Sequence, residues 1–140
     1  MSKIAVVYWS STGNTEAMAA AVAEGAKNAG AEVSTFTASA FDASHMDDFD
    51  AIAFGCPAMG AEQLEGDEFE PMFQGCESKL DRKKIALFGS YGWGDGEWMQ
   101  TWVDTCRSDG AILAAESVIC QEAPDGEAEA ACRNLGAALA

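Results

Sequence analysis

The sequence predicts an α/β protein: one parallel β-sheet with helices packed on both of its faces. Three observations carry the prediction. Short apolar runs rich in Val, Ile and Phe alternate along the chain with segments whose apolar residues recur at helical spacing. The clearest of these runs are continuously apolar rather than alternating, as strands buried on both faces are. Five β–α units follow one another with no repeat or linker between them, the pattern of a single sheet covered on both sides. A chain of 140 residues is the size of one domain, 1–140, and can bury a substantial core.

The elements follow in order. Lys3-Ile-Ala-Val-Val-Tyr8 is the first strand, and Ser10 to Asn14 is a polar turn. Met18, Ala21, Val22, Gly25, Ala26 and Ala29 give a helical stripe that Gly30 stops. Glu32 to Thr37 reads as a short second strand, and Phe41 to Phe49 as an acidic connection with one turn of helix. Asp50 to Cys56 is a third strand ended by Pro57, and Ala58 to Gly66 a loop. Phe69, Met72, Phe73 and Cys76 mark a short helix with Asp67 near its start. Lys84 to Gly89 is the fourth strand, and Ser90 to Gly96 is a glycine-rich loop around two aromatics. Trp98, Trp102, Val103 and Cys106 form the next helix, which Gly110 ends. Ala111 to Cys120 is the fifth strand, with a bend or inserted segment at Glu116-Ser117. Pro124-Asp125-Gly126 is a turn, and Ala128, Ala131, Cys132, Leu135 and Leu139 define the last helix.

Composition narrows the function. Eight basic residues against 23 acidic ones give a net charge of −15. No Lys or Arg occurs from Asn28 to Ser78, a stretch that holds eleven acids. Nucleic acid is excluded as a partner, because phosphate backbones require cationic contacts. A protein partner with a basic docking face fits, since an acidic surface steers it by long-range attraction; a solvated acidic surface kept for solubility is the plainer alternative. No apolar run approaches the ~20 residues that cross a bilayer, and no signal-peptide pattern opens the chain. The five cysteines form no CxxC pair, which fits a reduced, cytoplasmic setting and indicates no metal site.

In doubly wound sheets, ligands bind beyond the carboxyl ends of the strands at a topological switch point. The loop after the first strand is Ser10-Ser11-Thr12-Gly13-Asn14-Thr15. Its hydroxyls and amide stand at a helix N-terminus, where free N–H groups and a partial positive charge suit a phosphate. Gly13 can take a positive φ and turn successive N–H groups inward. The run lacks the Lys of a nucleotide-triphosphate loop and the Cys–Arg spacing of a phosphatase, so it suits a monophosphate. A Ser/Thr-rich helix cap reads from the same residues. The loop after the third strand is Pro57-Ala58-Met59-Gly60-Ala61-Glu62, and the loop after the fourth is Ser90-Tyr91-Gly92-Trp93-Gly94. The Trp93 indole could stack on a flat ring and the Met59 thioether could cover its other face; packing is the alternative for each.

The run Val6-Val7-Tyr8-Trp9-Ser10-Ser11-Thr12-Gly13-Asn14-Thr15-Glu16 resembles the N-terminal signature of the flavodoxin family. Gly-Cys-Pro-Ala-Met-Gly at 55–60 and Leu-Phe-Gly-Ser-Tyr-Gly-Trp-Gly at 87–94 resemble the short-chain flavodoxins of clostridial-type anaerobic bacteria. Phe69-Glu70-Pro71 and Gly96-Glu97-Trp98-Met99 extend the likeness along nearly the whole chain. The resemblance implies a flavodoxin-like three-layer α/β/α sandwich with a five-stranded parallel sheet in the order 2-1-3-4-5, the family that exemplifies the switch-point rule. It implies FMN as cofactor, with Ser10, Ser11, Thr12, Gly13, Asn14 and Thr15 around the phosphate. Trp93 and Met59 would lie on the two flavin faces. The neighbouring residues Pro57, Ala58, Gly60, Ala61, Ser90, Tyr91, Gly92 and Gly94 complete the binding loops, and Glu62 would accept from the ring N3–H. It further implies a low-potential one-electron carrier, not an enzyme, cycling mainly between semiquinone and hydroquinone and serving ferredoxin-linked oxidoreductases; a monomer is expected, with a weak dimer the alternative the sequence leaves open.

Two departures and two alternatives accompany that reading. Relatives carry Asp, Ser or Gly where this chain has Ala61, a position that needs positive φ if the flipped turn is type II, so Ala61 is expected to leave the semiquinone less stable. Relatives can have Asn at Glu122, and the sequence leaves its contact with the cofactor open. Trp9 reads equally as a cofactor contact or as core, and His45 as a surface residue. A small FMN-dependent reductase is the alternative function; it would need a substrate pocket over the flavin. A phospho-acceptor domain would need an acidic pair after the first strand and an Asp ending the third, which Tyr8-Trp9-Ser10 and Gly55-Cys56-Pro57 do not supply.

Overall fold

In this computed structural model, which describes residues 2–10, 13–59, 63–92 and 96–140, the chain runs β1 (Lys3–Tyr8), α1 (Asn14–Asn28), β2 (Glu32–Thr37), β3 (Ala51–Gly55), α2 (Phe69–Cys76), β4 (Lys84–Tyr91), α3 (Glu97–Ser108), β5 (Ile112–Leu113), β6 (Val118–Gln121) and α4 (Gly126–Leu139). The sheet order is β2-β1-β3-β4-β5, with β6 also pairing with β4, and every pairing is parallel. β5 and β6 thus share the fifth position: β5 pairs at Lys84 and Ile85, β6 from Phe88 to Tyr91, and the break between them spans residues 114–117, with the bend at Ala114-Ala115 just before the expected Glu116-Ser117.

The apolar runs become central strands because both of their faces are covered. On β1, Ala5 and Val7 point toward the α2/α3 side while Ile4 and Val6 point toward the α1/α4 side, and all four are fully buried. β3 and β4 alternate the same way, with Ile52, Phe54, Ile85 and Leu87 on one side and Ala51, Ala53, Ala86 and Phe88 on the other. Each large buried side chain contributes about 1.5–3 kcal/mol, so these short strands carry much of the hydrophobic drive to fold. The α1/α4 side has the smaller residues and lets helices approach closely. A Cβ on Gly25 would stand 1.9 Å from the Arg133 carbonyl oxygen, and one on Gly136 would stand 2.0 Å from that of Val22. Glycine at both positions is what allows α1 and α4 to touch backbone to backbone.

The structure adjusts several sequence boundaries. β4 continues past Gly89 through Ser90 and Tyr91, because β6 pairs with it there and the Ala58 N–H donates to the Ser90 carbonyl at 3.1 Å. The acidic connection holds a short 3-10 segment, Ala43–Asp48, and a second, Ala38–Ala40, precedes it directly after β2. Within the second, His45 has a partner the sequence did not suggest: its Nδ1 lies 3.0 Å from Asp42 Oδ1 and its ring stacks on Phe41. Lys83 Nζ donates to the Met46 carbonyl at 2.8 Å and to the Phe49 carbonyl, tying the connection to the foot of β4. No described helix is long and apolar enough to cross a membrane.

Candidate functional site

At the carboxyl ends of β1, β3, β4 and β6 the connecting loops converge. The Trp9 N–H donates to the Gly55 carbonyl at 3.0 Å, which fixes the start of the first loop against β3. Ser10 Oγ accepts from the Gly13 N–H at 3.1 Å, and Gly13 takes φ 93° where α1 begins. This is the positive φ that the sequence anticipated, and it lets the chain turn directly from a strand into a helix whose first N–H groups face outward. Thr15 is 1% exposed, and its Oγ1 is buried with no hydrogen-bond partner among the described residues. A buried hydroxyl without a partner is costly, so a ligand acceptor is the natural complement of this one.

Ser10, Asn14 and Thr15 from the first loop, Pro57, Ala58 and Met59 from the second, and Ser90, Tyr91 and Gly92 from the third line one cleft of about 170 Å³. Glu122 joins them. Gly13 caps α1 beside the cleft. Ser11, Thr12, Gly60, Ala61, Glu62, Trp93 and Gly94 lie outside the described residues. A larger groove of about 310 Å³ runs between α2 and α3, but Glu70 and Glu77 on its rim would repel a phosphate. The smaller cleft has the hydroxyls and the helix N-terminus, so chemistry rather than size selects it.

The second and third loops are fastened to one another. A Cβ on Gly89 would stand 2.2 Å from the Cys56 carbonyl oxygen, a close approach that only glycine permits. That carbonyl accepts from the buried Trp98 Nε1 at 3.2 Å, and Trp98 packs against Tyr91. Met59 and Gln63 exchange two backbone hydrogen bonds, at 2.8 and 2.9 Å, so both ends of the segment between them are fixed. Burial pushes the Cys56 thiol up to about 12, which makes it a packing group rather than a nucleophile.

Three residues carry more than the sequence showed. Glu122 takes φ 60°, its N–H donates to the Tyr91 carbonyl at 2.9 Å, and its own carbonyl accepts from Ser90 Oγ at 2.7 Å. Its left-handed backbone explains why an Asn would suit that position. Trp9 is half-buried and donates from Nε1 to Glu68 Oε1 at 3.2 Å, linking the first loop to the start of α2. Glu65 caps α2, with Asp67 near the helix start as one of its donors: its carboxylate accepts from the N–H groups of Asp67, Glu68 and Phe69 at 2.8–2.9 Å. Burial raises the Glu65 pKa, but these three donors outweigh it and hold the carboxyl below its usual range. Four acids crowd this stretch, and only burial distinguishes the one that caps.

A doubly wound parallel sheet in the order 2-1-3-4-5, with a phosphate-suited cleft at its carboxyl edge, defines a mononucleotide-binding α/β protein. The flavodoxin family model matches residues 6–136, and the chain belongs to that family. It is 44% identical to the flavodoxin of Megasphaera elsdenii, over 98% of each chain, and 42% identical to that of Clostridium beijerinckii, over 96% of this chain and 97% of the other. The solution structure of two-electron-reduced Megasphaera elsdenii flavodoxin matches it with a TM-score of 0.89 at 43% identity, covering 97% of each chain. Flavodoxins bind FMN and transfer electrons to redox partners rather than acting as enzymes. The orphaned Thr15 hydroxyl, beside a helix N-terminus in a cleft that no described Lys or Arg lines, fits the FMN phosphate.

Proposed function

We propose that the chain, as one domain of residues 1–140, is a low-potential one-electron carrier that cycles mainly between the one- and two-electron-reduced forms of a non-covalently held FMN. The observation that carries this reading is the convergence of hydroxyl donors, a helix N-terminus and the unpartnered Thr15 Oγ1 on one cleft at the sheet edge. FMN supplies a ring system that accepts electrons one at a time, and the protein sets how readily each is held. Ser10, Ser11, Thr12, Gly13, Asn14 and Thr15 hold the phosphate with neutral donors, which need no cation provided they are numerous and sheltered from water. Pro57, Ala58, Met59, Gly60, Ala61 and Glu62 border one side of the ring, and Ser90, Tyr91, Gly92, Trp93 and Gly94 the other. The surrounding acids disfavour added negative charge, and that lowers the potential of the second electron.

The net charge of −15 favours partners with basic docking faces, ferredoxin-linked oxidoreductases among them, and self-repulsion favours a monomer. Five free cysteines suit a cytoplasmic setting. The test is a pair of fluorescence titrations of the apoprotein, one with FMN and one with riboflavin, which lacks the phosphate. Tight one-to-one binding of FMN and binding of riboflavin weaker by at least tenfold support the reading. Equal affinity for the two would refute the phosphate assignment, and no binding of FMN would refute the carrier.

A further inference from the structure

The groove between α2 and α3 shares no lining residue with the phosphate-suited cleft, and its chemistry is different. It encloses about 310 Å³, room for one long side chain. Phe73, Trp98 and Trp102 give it an apolar floor, and Glu70 and Glu77 stand on its rim. Among the described residues no Lys or Arg lines it, and neither glutamate takes part in an ion pair. Glu77 also faces Asp109 at the end of α3; burial first, then that neighbour's hydrogen bond and charge, push it up to about 7. The negative charge of this rim is uncompensated.

The floor holds a second unmet group. Trp102 is 2% exposed, and its Nε1 is buried without a hydrogen-bond partner among the described residues. The ring stands edge-on to Phe69 and Phe73, with centroids 5.4 and 5.6 Å apart, so close packing keeps the indole from turning toward an acceptor of its own. A buried N–H left without an acceptor is destabilising, and an oxygen brought from outside would satisfy it.

The groove therefore suits an occupant with a cationic head, an apolar stem and a carbonyl oxygen. A basic residue within a polypeptide has all three, because its methylene stem packs on apolar surface while its head stays with the charges. Arginine fits better than lysine, since its planar fork can donate to two carboxylates at once and is the more weakly hydrated. A second copy of this chain, at −15, would be repelled. We propose that the α2/α3 groove receives an arginine side chain of a basic protein partner, with the guanidinium between Glu70 and Glu77 and a carbonyl of the same segment accepting from Trp102 Nε1. This gives the basic partner inferred above a contact away from the flavin cleft, and it rests on that reading.

The probe is acetyl-arginine methylamide, titrated into the full chain at low salt and pH 8, where Glu77 is charged, and followed by the amide and indole N–H resonances. The expected result is a saturable shift of the Trp102 indole N–H and of the Gln74 and Thr101 amides, with binding about threefold weaker in Glu70→Gln and in Glu77→Gln. Acetyl-citrulline methylamide keeps the shape without the charge and should bind at least fivefold more weakly. Methylguanidinium has no carbonyl and should leave the Trp102 indole unshifted. Glu32→Gln, which removes an exposed acid outside the groove, should leave binding unchanged. Equal binding of the citrulline probe, an unshifted indole with the arginine probe, or an equal loss in Glu32→Gln would overturn the proposal. An indole shift from methylguanidinium equal to that from the arginine probe would overturn the peptide as occupant. Arginine binding that shifts a different acidic surface would overturn the groove and leave the wider reading of basic partners standing.

Discussion

Replacing Thr15 with Val should move apoprotein stability and cofactor affinity in opposite directions. The side chain keeps its shape and loses only the hydroxyl. In the apoprotein that hydroxyl is buried without a partner among the described residues, a state that costs about 1–3 kcal/mol relative to a satisfied or absent group. Valine should therefore stabilise the apoprotein by about 1 kcal/mol. In the proposed FMN complex the same hydroxyl would donate to a charged phosphate oxygen, and such bonds contribute about 1.5–3 kcal/mol. Its loss should weaken FMN binding by about 10- to 150-fold. Riboflavin affinity should not change, because riboflavin offers no phosphate. Urea unfolding of the two apoproteins and fluorescence titrations with both ligands measure all three quantities. A Thr15→Val apoprotein less stable than wild type, together with unchanged FMN affinity, would show that the hydroxyl belongs to the fold rather than to the ligand.

Two further outcomes follow from other groups. Glu122→Asn should raise stability by about 0.5–1 kcal/mol, because Asn tolerates the left-handed backbone found there; thermal unfolding of the apoprotein reads it, and no gain would mean that the side chain compensates the strain. Glu77 is pushed up to about 7, first by burial, then by a hydrogen bond with Asp109 and repulsion from its charge. A carboxyl whose folded pKa is raised binds its proton more tightly when folded, so stability is greatest near the ordinary value of 4.5 and falls as pH rises to about 7. Glu77→Gln should remove that fall, with a gain in melting temperature larger at pH 8 than at pH 5; an equal gain at both would count against the raised pKa of Glu77.

The central strands were legible because burial on both faces leaves a continuous apolar signature, as in Ile4 to Val7 and Ala51 to Phe54. The end of β4 was not, since Ser90 and Tyr91 have the composition of a turn and become strand only by pairing with β6. The break between β5 and β6, residues 114–117, was legible in its second half, where the polar pair Glu116-Ser117 interrupts an apolar run, but the bend itself falls on Ala114-Ala115, which give no sign of it. In the site, Ser10, Gly13 and Thr15 could be read from their position between a strand and a helix. Glu65 could not, because Asp67, Glu68 and Glu70 offer the same chemistry and tertiary burial alone selects among them. Glu122 escaped for a different reason: a backbone angle decides its role, and Glu gives no sign of it.

One-electron transfer by a held flavin is read out in an anaerobic reductive titration followed by absorption. The prediction is a long-wavelength band that rises to its maximum near one electron equivalent and disappears as the second is added. Bleaching straight to the two-electron-reduced form, with no such band, would contradict it.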